Sequence, residues 1–183
     1  LEKRILKHLT ARTSPTGRFS PVTAAPAVVF WVAVGKHEQI AARFAATAVA
    51  DAGHHPCYLE YFRLFNEGRY YEAHDVLEHI WLGSDGARHT FYKALIQFAG
   101  GFVHLQHHRR EPGHRIHGRR LRPAARLFRR SAELLAPFPS LHEGLEVEVV
   151  RRTALELAGR LEASGHAVNP WTPEQAPRLR GPV

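Results

Sequence analysis

His74, Glu78 and Trp81 are the residues of this chain whose types and spacing could do chemistry. They lie in the run Tyr70-Tyr71-Glu72-Ala73-His74-Asp75-Val76-Leu77-Glu78-His79-Ile80-Trp81. On a helix, an imidazole and a carboxylate four residues apart stand one turn above each other on the same face. Held in parallel, they can share a divalent cation or a proton. The segment has a helical pattern, because Tyr70, Ala73, Leu77, Ile80 and Trp81 recur at three- and four-residue steps. His74 and Glu78 fall at the edge of that apolar stripe, so both side chains are expected to be half-buried. A carboxylate taken out of water needs a partner: His74, an Arg, a metal or a hydrogen-bond donor. Two ligands do not complete a metal site, and the same pair on an open helix surface would be a simple ion pair.

Further ligands, or groups that orient the first two through hydrogen bonds, are sought in Gln97, His104 and Glu72. Gln97 and His104 are seven residues apart and share a face of the apolar segment Ala87–His107, with Gly100-Gly101 close to that face. Paired glycines weaken a helix by about 1 kcal/mol each against Ala. They are expected where another backbone approaches closely, and the His74/Glu78 helix is the expected neighbour. Trp81 is read as a packing anchor that shields the pair from solvent.

These residues must be held by helices. Tyr58, Phe62 and Phe65 predict a first helix that stops at Asn66-Glu67-Gly68, and the second spans about Arg69 to Leu82, closed by Gly83-Ser84-Asp85-Gly86. A long apolar helix over Ala87–His107 follows. Residues 109–121, with Pro112-Gly113 and Gly118, read as a loop or short helical turn. Pro123 is expected to open the next helix, since inside one it would cost about 3 kcal/mol. That helix ends before Pro137-Phe138-Pro139, and a last amphipathic helix covers His142–Ala163. With no useful alternating run, the fold expected is all-α: a compact bundle of about four to five helices over residues 55–165. Residues 1–54 read as a poorly structured extension with one peripheral helix over 36–52, and 166–183 as an irregular tail.

Composition narrows the function. The chain has 183 residues, 44% apolar, with one cysteine. Cys57 therefore has no intrachain partner, and a Cys-based zinc site is excluded. The apolar run Val22–Val34 is too short to cross a bilayer and is broken by Pro26. Lys36-His37-Glu38 stand where a leader would need small residues. A cytoplasmic protein is expected. Methionine is absent even at position 1, as an unconventional start or a shortened reading frame would leave it. The net charge of +8 is concentrated: Arg109 to Arg130 holds nine Arg and one Glu, the whole of the excess. One basic segment on a neutral body is not a uniformly basic nucleic-acid binder.

The stretch from about Tyr58 to Leu135 resembles a bacterial and archaeal family known as domain of unknown function 309. The residues that carry the resemblance are Phe65-Asn66-x-Gly68, then Tyr71-Glu72-Ala73-His74-Asp75-x-x-Glu78-x-x-Trp81, and Leu95-Ile96-Gln97-x-Ala99-x-Gly101-x-x-His104. It implies a small helical bundle with a metal-binding role suggested for its His-x-x-x-Glu-x-x-Trp signature. It implies no reaction. Asp75 stands where the family pattern leads one to expect Glu, and the Arg109–Arg122 connection is longer and more basic than the family's link.

Three readings stay open. In the first, His74 and Glu78 bind Zn, Mn or Fe, with Gln97, His104 or Glu72 assisting, and the metal acidifies a water for hydrolysis. In the second, the Arg109–Arg130 segment contacts nucleic-acid phosphates or scaffolds a partner, with Arg119, Arg120 and Arg122 as the anion contacts. In the third, His74, Glu78 and Gln97 form a buried polar network without a ligand. The partners considered are a small molecule, nucleic acid and a second copy of the chain; a membrane is not among them. Catalytic residues are not assigned, and whether the protein is an enzyme is left open.

Overall fold

The computed structural model describes residues 53–182. The expected extension, its helix over 36–52 and the Val22–Val34 run lie outside them, save the last two residues of 1–54. Among the described residues the architecture is all-α: five α-helices, two 3₁₀ turns (His117–Arg119 and Pro173–Gln175) and one β-hairpin of two-residue strands. No helix in this part is long and apolar enough to cross a membrane.

Helix α1 spans Pro56–Asn66. His55 caps it, its Nδ1 accepting from the Cys57 N–H at 3.1 Å, and Pro56 takes the first position, where a missing N–H is harmless. Gly68 ends the turn at φ +74°, in the left-handed region glycine enters freely. The inner face of α1 is aromatic, with Tyr58, Tyr61, Phe62 and Phe65 all buried. The Tyr61 hydroxyl, deep in the core, donates to the Leu95 carbonyl at 3.0 Å and so meets its polar requirement.

Helix α2, Tyr70–Trp81, packs between α1 and the long helix α3, Gly86–Arg110. Tyr70 stacks on Phe102 at 4.8 Å, and at the other end of α2 Trp81 meets His89 at 4.7 Å. The two helices are thus antiparallel. Phe65, Phe98, Phe102 and Phe128 join in a ring cluster at the centre of the core.

Helix α4 runs Leu121–Leu135, so it begins two residues before the expected start at Pro123. Pro123 is the third residue of the helix. The first N–H groups of a helix have no partner inside it, so proline costs no bond there. The Ala124 N–H, next in line, makes a bond to the Arg120 carbonyl at 3.0 Å.

Helix α5 covers Val147–Ala163 rather than starting at His142. Leu141–His142 (β1) and Leu145–Glu146 (β2) pair as an antiparallel hairpin across Glu143-Gly144. Both turn residues have positive φ, 49° and 73°, as a tight mirror-image turn requires. The tail after Ala163 has an irregular backbone apart from a 3₁₀ turn at Pro173–Gln175. It nonetheless buries Trp171 and Leu179 in the core, and Asn66 clasps Leu179 with two backbone hydrogen bonds of 2.8 Å.

Candidate metal centre

The apolar stripe of α2 buries Tyr70, Ala73, Val76 and Leu77. His74, Asp75 and Glu78 sit at its border, each half-buried. One ligand atom from each lies within 4.8 Å of the other two. The His74 Nδ1 is 3.2 Å from Asp75 Oδ1. Against a carboxylate oxygen the ring nitrogen donates, which leaves the Nε2 lone pair as the imidazole's ligand atom. A carboxylate that fixes the tautomer of a histidine is a recurring part of metal sites. The structure therefore adds Asp75 to the pair read from the sequence. Its signal in the chain is an acid directly after His74, which the sequence marks only as a departure from the family pattern.

The other candidates are placed as follows. Glu72 is exposed and accepts from Arg69 Nη2 at 2.8 Å, so it is engaged in a surface ion pair. Gln97 is half-buried on α3. Given the ring contacts at the two ends of α2, the antiparallel pairing sets Gln97 at the level of His74 and Lys93 at that of Glu78. Trp81, also half-buried, lies against His89, with Lys93 Nζ 6.0 Å from its ring centre.

His104 is claimed by a different neighbour. Its Nδ1 lies 3.2 Å from Arg120 Nη1, a group that can only donate, so the imidazole accepts. Burial, then Arg120, His107 and Arg126, push its pKa down to about 4. The glycine pair explains this placement. A Cβ on Gly101 would lie 2.5 Å from the Phe128 ring, and one on Gly100 would touch Leu127 at 3.4 Å. The close approach is thus made by α4, not by the His74 helix as expected from the sequence.

Two further features were not read from the sequence. Glu111, His114 and His117, in the connection between α3 and α4, bring ligand atoms within 4.8 Å of one another. There His117 Nδ1 and Glu111 Oε2 are 2.8 Å apart, while His114 Nδ1 accepts from the N–H groups of Ile116 and His117. A cavity of about 540 Å³ opens where α2 turns into α3, with His55, Asp85, Arg88, His142 and Glu143 in its wall. Its Arg88 and Glu143 pair with each other at 3.1 Å. Cys57 offers no nucleophile: burial and then Glu60 raise its thiol to about 11.

Comparison with protein families places this geometry. Residues 58–116 match the family described as Domain of unknown function (DUF309). This stretch of the chain is similar to the DUF309 family. It contains α1, α2 and α3, and with them His74, Asp75, Glu78, Trp81, Gln97 and His104. The match stops at Ile116, short of the Leu135 to which the sequence resemblance was drawn, so α4, α5 and Arg119, Arg120 and Arg122 lie beyond the DUF309 match. No curated protein and no solved structure matches the chain.

Proposed function

We propose that this protein binds a divalent cation through His74 and Glu78, with Asp75 as a third ligand or as the group that orients His74. The observation that carries this reading is the convergence of one imidazole and two carboxylates within 4.8 Å at the half-buried border of α2. That donor set suits Zn, Mn or Fe, and ligand chemistry alone does not choose among them. The site is borne on a regular helix whose adjoining apolar stripe is locked into the core, so its geometry is set before any ion arrives. When bound, the cation supplies Lewis acidity and lowers the pKa of water at its open positions, the chemistry of a hydrolase.

A second reading has its own support. The 3.2 Å contact of His74 with Asp75 is also what a metal-free polar network needs, in which the pair fixes the packing of α2. Elemental analysis of the full chain, purified without chelator or affinity tag, separates the two. Metal binding predicts about one ion per chain, reduced by His74→Ala or Glu78→Ala and unchanged by His114→Ala, which removes the other ligand group. Added metal should raise the melting temperature of the wild type and not of the two α2 variants, because a ligand that prefers the native state stabilises it. A wild type without stoichiometric metal, and unmoved by Zn, Mn and Fe, supports the network instead. Hydrolase activity further requires turnover of an ester or phosphoester that is lost in Glu78→Ala.

A further inference from the structure

The whole charge excess of the chain falls between Arg109 and Arg130, and the fold sets two groups of these arginines apart. Arg129 and Arg130 have acidic partners, Glu162 and Glu133. Arg115, Arg119 and Arg120 instead line a cavity of about 420 Å³ together with His104, Ile116 and Pro123. No carboxylate is in that wall, and among the described residues no ion pair engages these three arginines. Like charges gathered without a counter-charge repel one another, and an anion between them relieves that repulsion.

Arg120, one of the lining residues, has a donor left over. Arg120 Nε is buried and lacks a hydrogen-bond partner, an N–H that is costly to leave unmade. Arg120 Nη1 is anchored by His104 Nδ1, which holds the guanidinium in one orientation. The loop that carries the other arginines is fixed as well. The Gly118 N–H bonds the His114 carbonyl at 2.8 Å, and a Cβ on Gly118 would collide with the Pro112 carbonyl oxygen. Ile116, half-exposed at 53%, and Pro123 give the cavity an apolar side.

We infer that this cavity binds the phosphate group of a small phosphomonoester, with Arg115, Arg119 and Arg120 as donors and Ile116 and Pro123 against the organic part. Planar guanidinium groups match tetrahedral oxyanions through paired N–H bonds. A cavity of this volume is in the range of small-molecule sites. A nucleic-acid backbone carries the related phosphodiester, but the site is a single concave pocket and not a stripe along the surface. His104 does not compete with the ligand: it is uncharged at neutral pH, and its accepting nitrogen already faces Arg120.

The test is calorimetric titration of the full chain, treated with chelator to remove metal, with inorganic phosphate at low salt. Saturable binding of one phosphate per chain is expected. Arg115→Ala and Arg119→Ala, both on exposed side chains that the fold does not need, should each weaken it roughly tenfold, the scale of one charge-assisted hydrogen bond. Arg130→Ala, whose arginine is paired elsewhere, should leave it unchanged. Phosphate should also raise the titration midpoint of the His104 imidazole by NMR. That group is faced by Arg120 from the loop, Arg126 from α4 and His107 on its own helix, with Arg115 and Arg119 across the cavity. A twelve-nucleotide single strand is the second probe. If it binds with a steep salt dependence and phosphate does not displace it, the surface is a nucleic-acid contact and the inference is overturned. Absence of saturable phosphate binding, or binding equal in Arg115→Ala, Arg119→Ala and wild type, overturns it too.

Discussion

Gly101 and the Phe128 ring claim the same volume: a Cβ on the glycine would stand 2.5 Å from the ring edge. Phe128 is fully buried and touches Phe98 and Phe102, so it cannot swing aside without opening the centre of the core. Gly101→Ala should therefore destabilise the protein by about 1–3 kcal/mol, the usual cost of overpacking, despite alanine's better helix propensity. Gly100→Ala, with 3.4 Å to the movable Leu127 Cδ1, should be near neutral or stabilising. Urea unfolding of the two variants checks the contrast, and equal effects would mean that α4 does not press where the structure puts it.

The helices themselves were largely legible from the chain. Tyr58, Phe62 and Phe65, or Tyr70, Ala73 and Leu77, repeat at helical steps because one face of each helix is buried, and burial is what the pattern records. What the pattern omits is which partner covers which face. Gly100-Gly101 announced a close approach, but the glycines could not say that Phe128, not the His74 helix, would make it. His104 was legible as a polar group on that face and illegible as the partner of Arg120, sixteen residues on in a loop. The hairpin at Leu141–Glu146 was missed because two-residue strands have no periodicity, and its only signal was Gly144. Trp171 and Leu179 were read as tail because their burial is set by Tyr70 and Asn66, far away in sequence.

His104 gives the fold a dependence on acid. Its folded pKa of about 4 lies below the ordinary 6.5, so between those values the unfolded chain binds a proton that the native one refuses. Stability then falls as pH drops through that window and is fully present above it. His107 and His108, lowered chiefly by burial, act in the same direction. His104→Gln keeps an acceptor for Arg120 and removes the titration. Thermal melts from pH 7 to pH 4 should show a shallower loss in this variant, and parallel curves would show that His104 titrates normally in the folded state.

Asp75 enters the proposed metal centre only through its contact with His74. If it orients His74, Asp75→Asn should weaken metal binding about 10- to 100-fold, as loss of such supporting partners does. Metal titration followed by competition with a chelator measures this. An unchanged affinity would remove Asp75 from the site and leave His74 and Glu78 alone.

The two ends of the chain should differ in what they contribute. The core is closed on the C-terminal side: Trp171 meets Tyr70 edge to face at 6.0 Å, and Asn169 Nδ2 donates to the Leu105 carbonyl at 2.9 Å. Asn66 holds Leu179 through its side-chain amide, Nδ2 donating to the Leu179 carbonyl and Oδ1 accepting from the Leu179 N–H. Ending the chain at Gly165 would expose the Tyr70 and Phe102 region and leave Asn66 with two lost bonds. Removing one buried aromatic alone costs about 3–5 kcal/mol, a large part of the 5–15 kcal/mol that holds a typical domain together. Loss of cooperative thermal unfolding is therefore expected for that truncation. Residues 1–35 carry the turn and linker chemistry of Thr13-Ser14-Pro15-Thr16-Gly17 and Ser20-Pro21 and no helical periodicity, so their removal should leave the cooperative transition in place. Circular dichroism melts of both truncations decide the matter. A chain shortened at Gly165 that melts like the full one would show that Trp171 and Leu179 only rest on a core already complete without them.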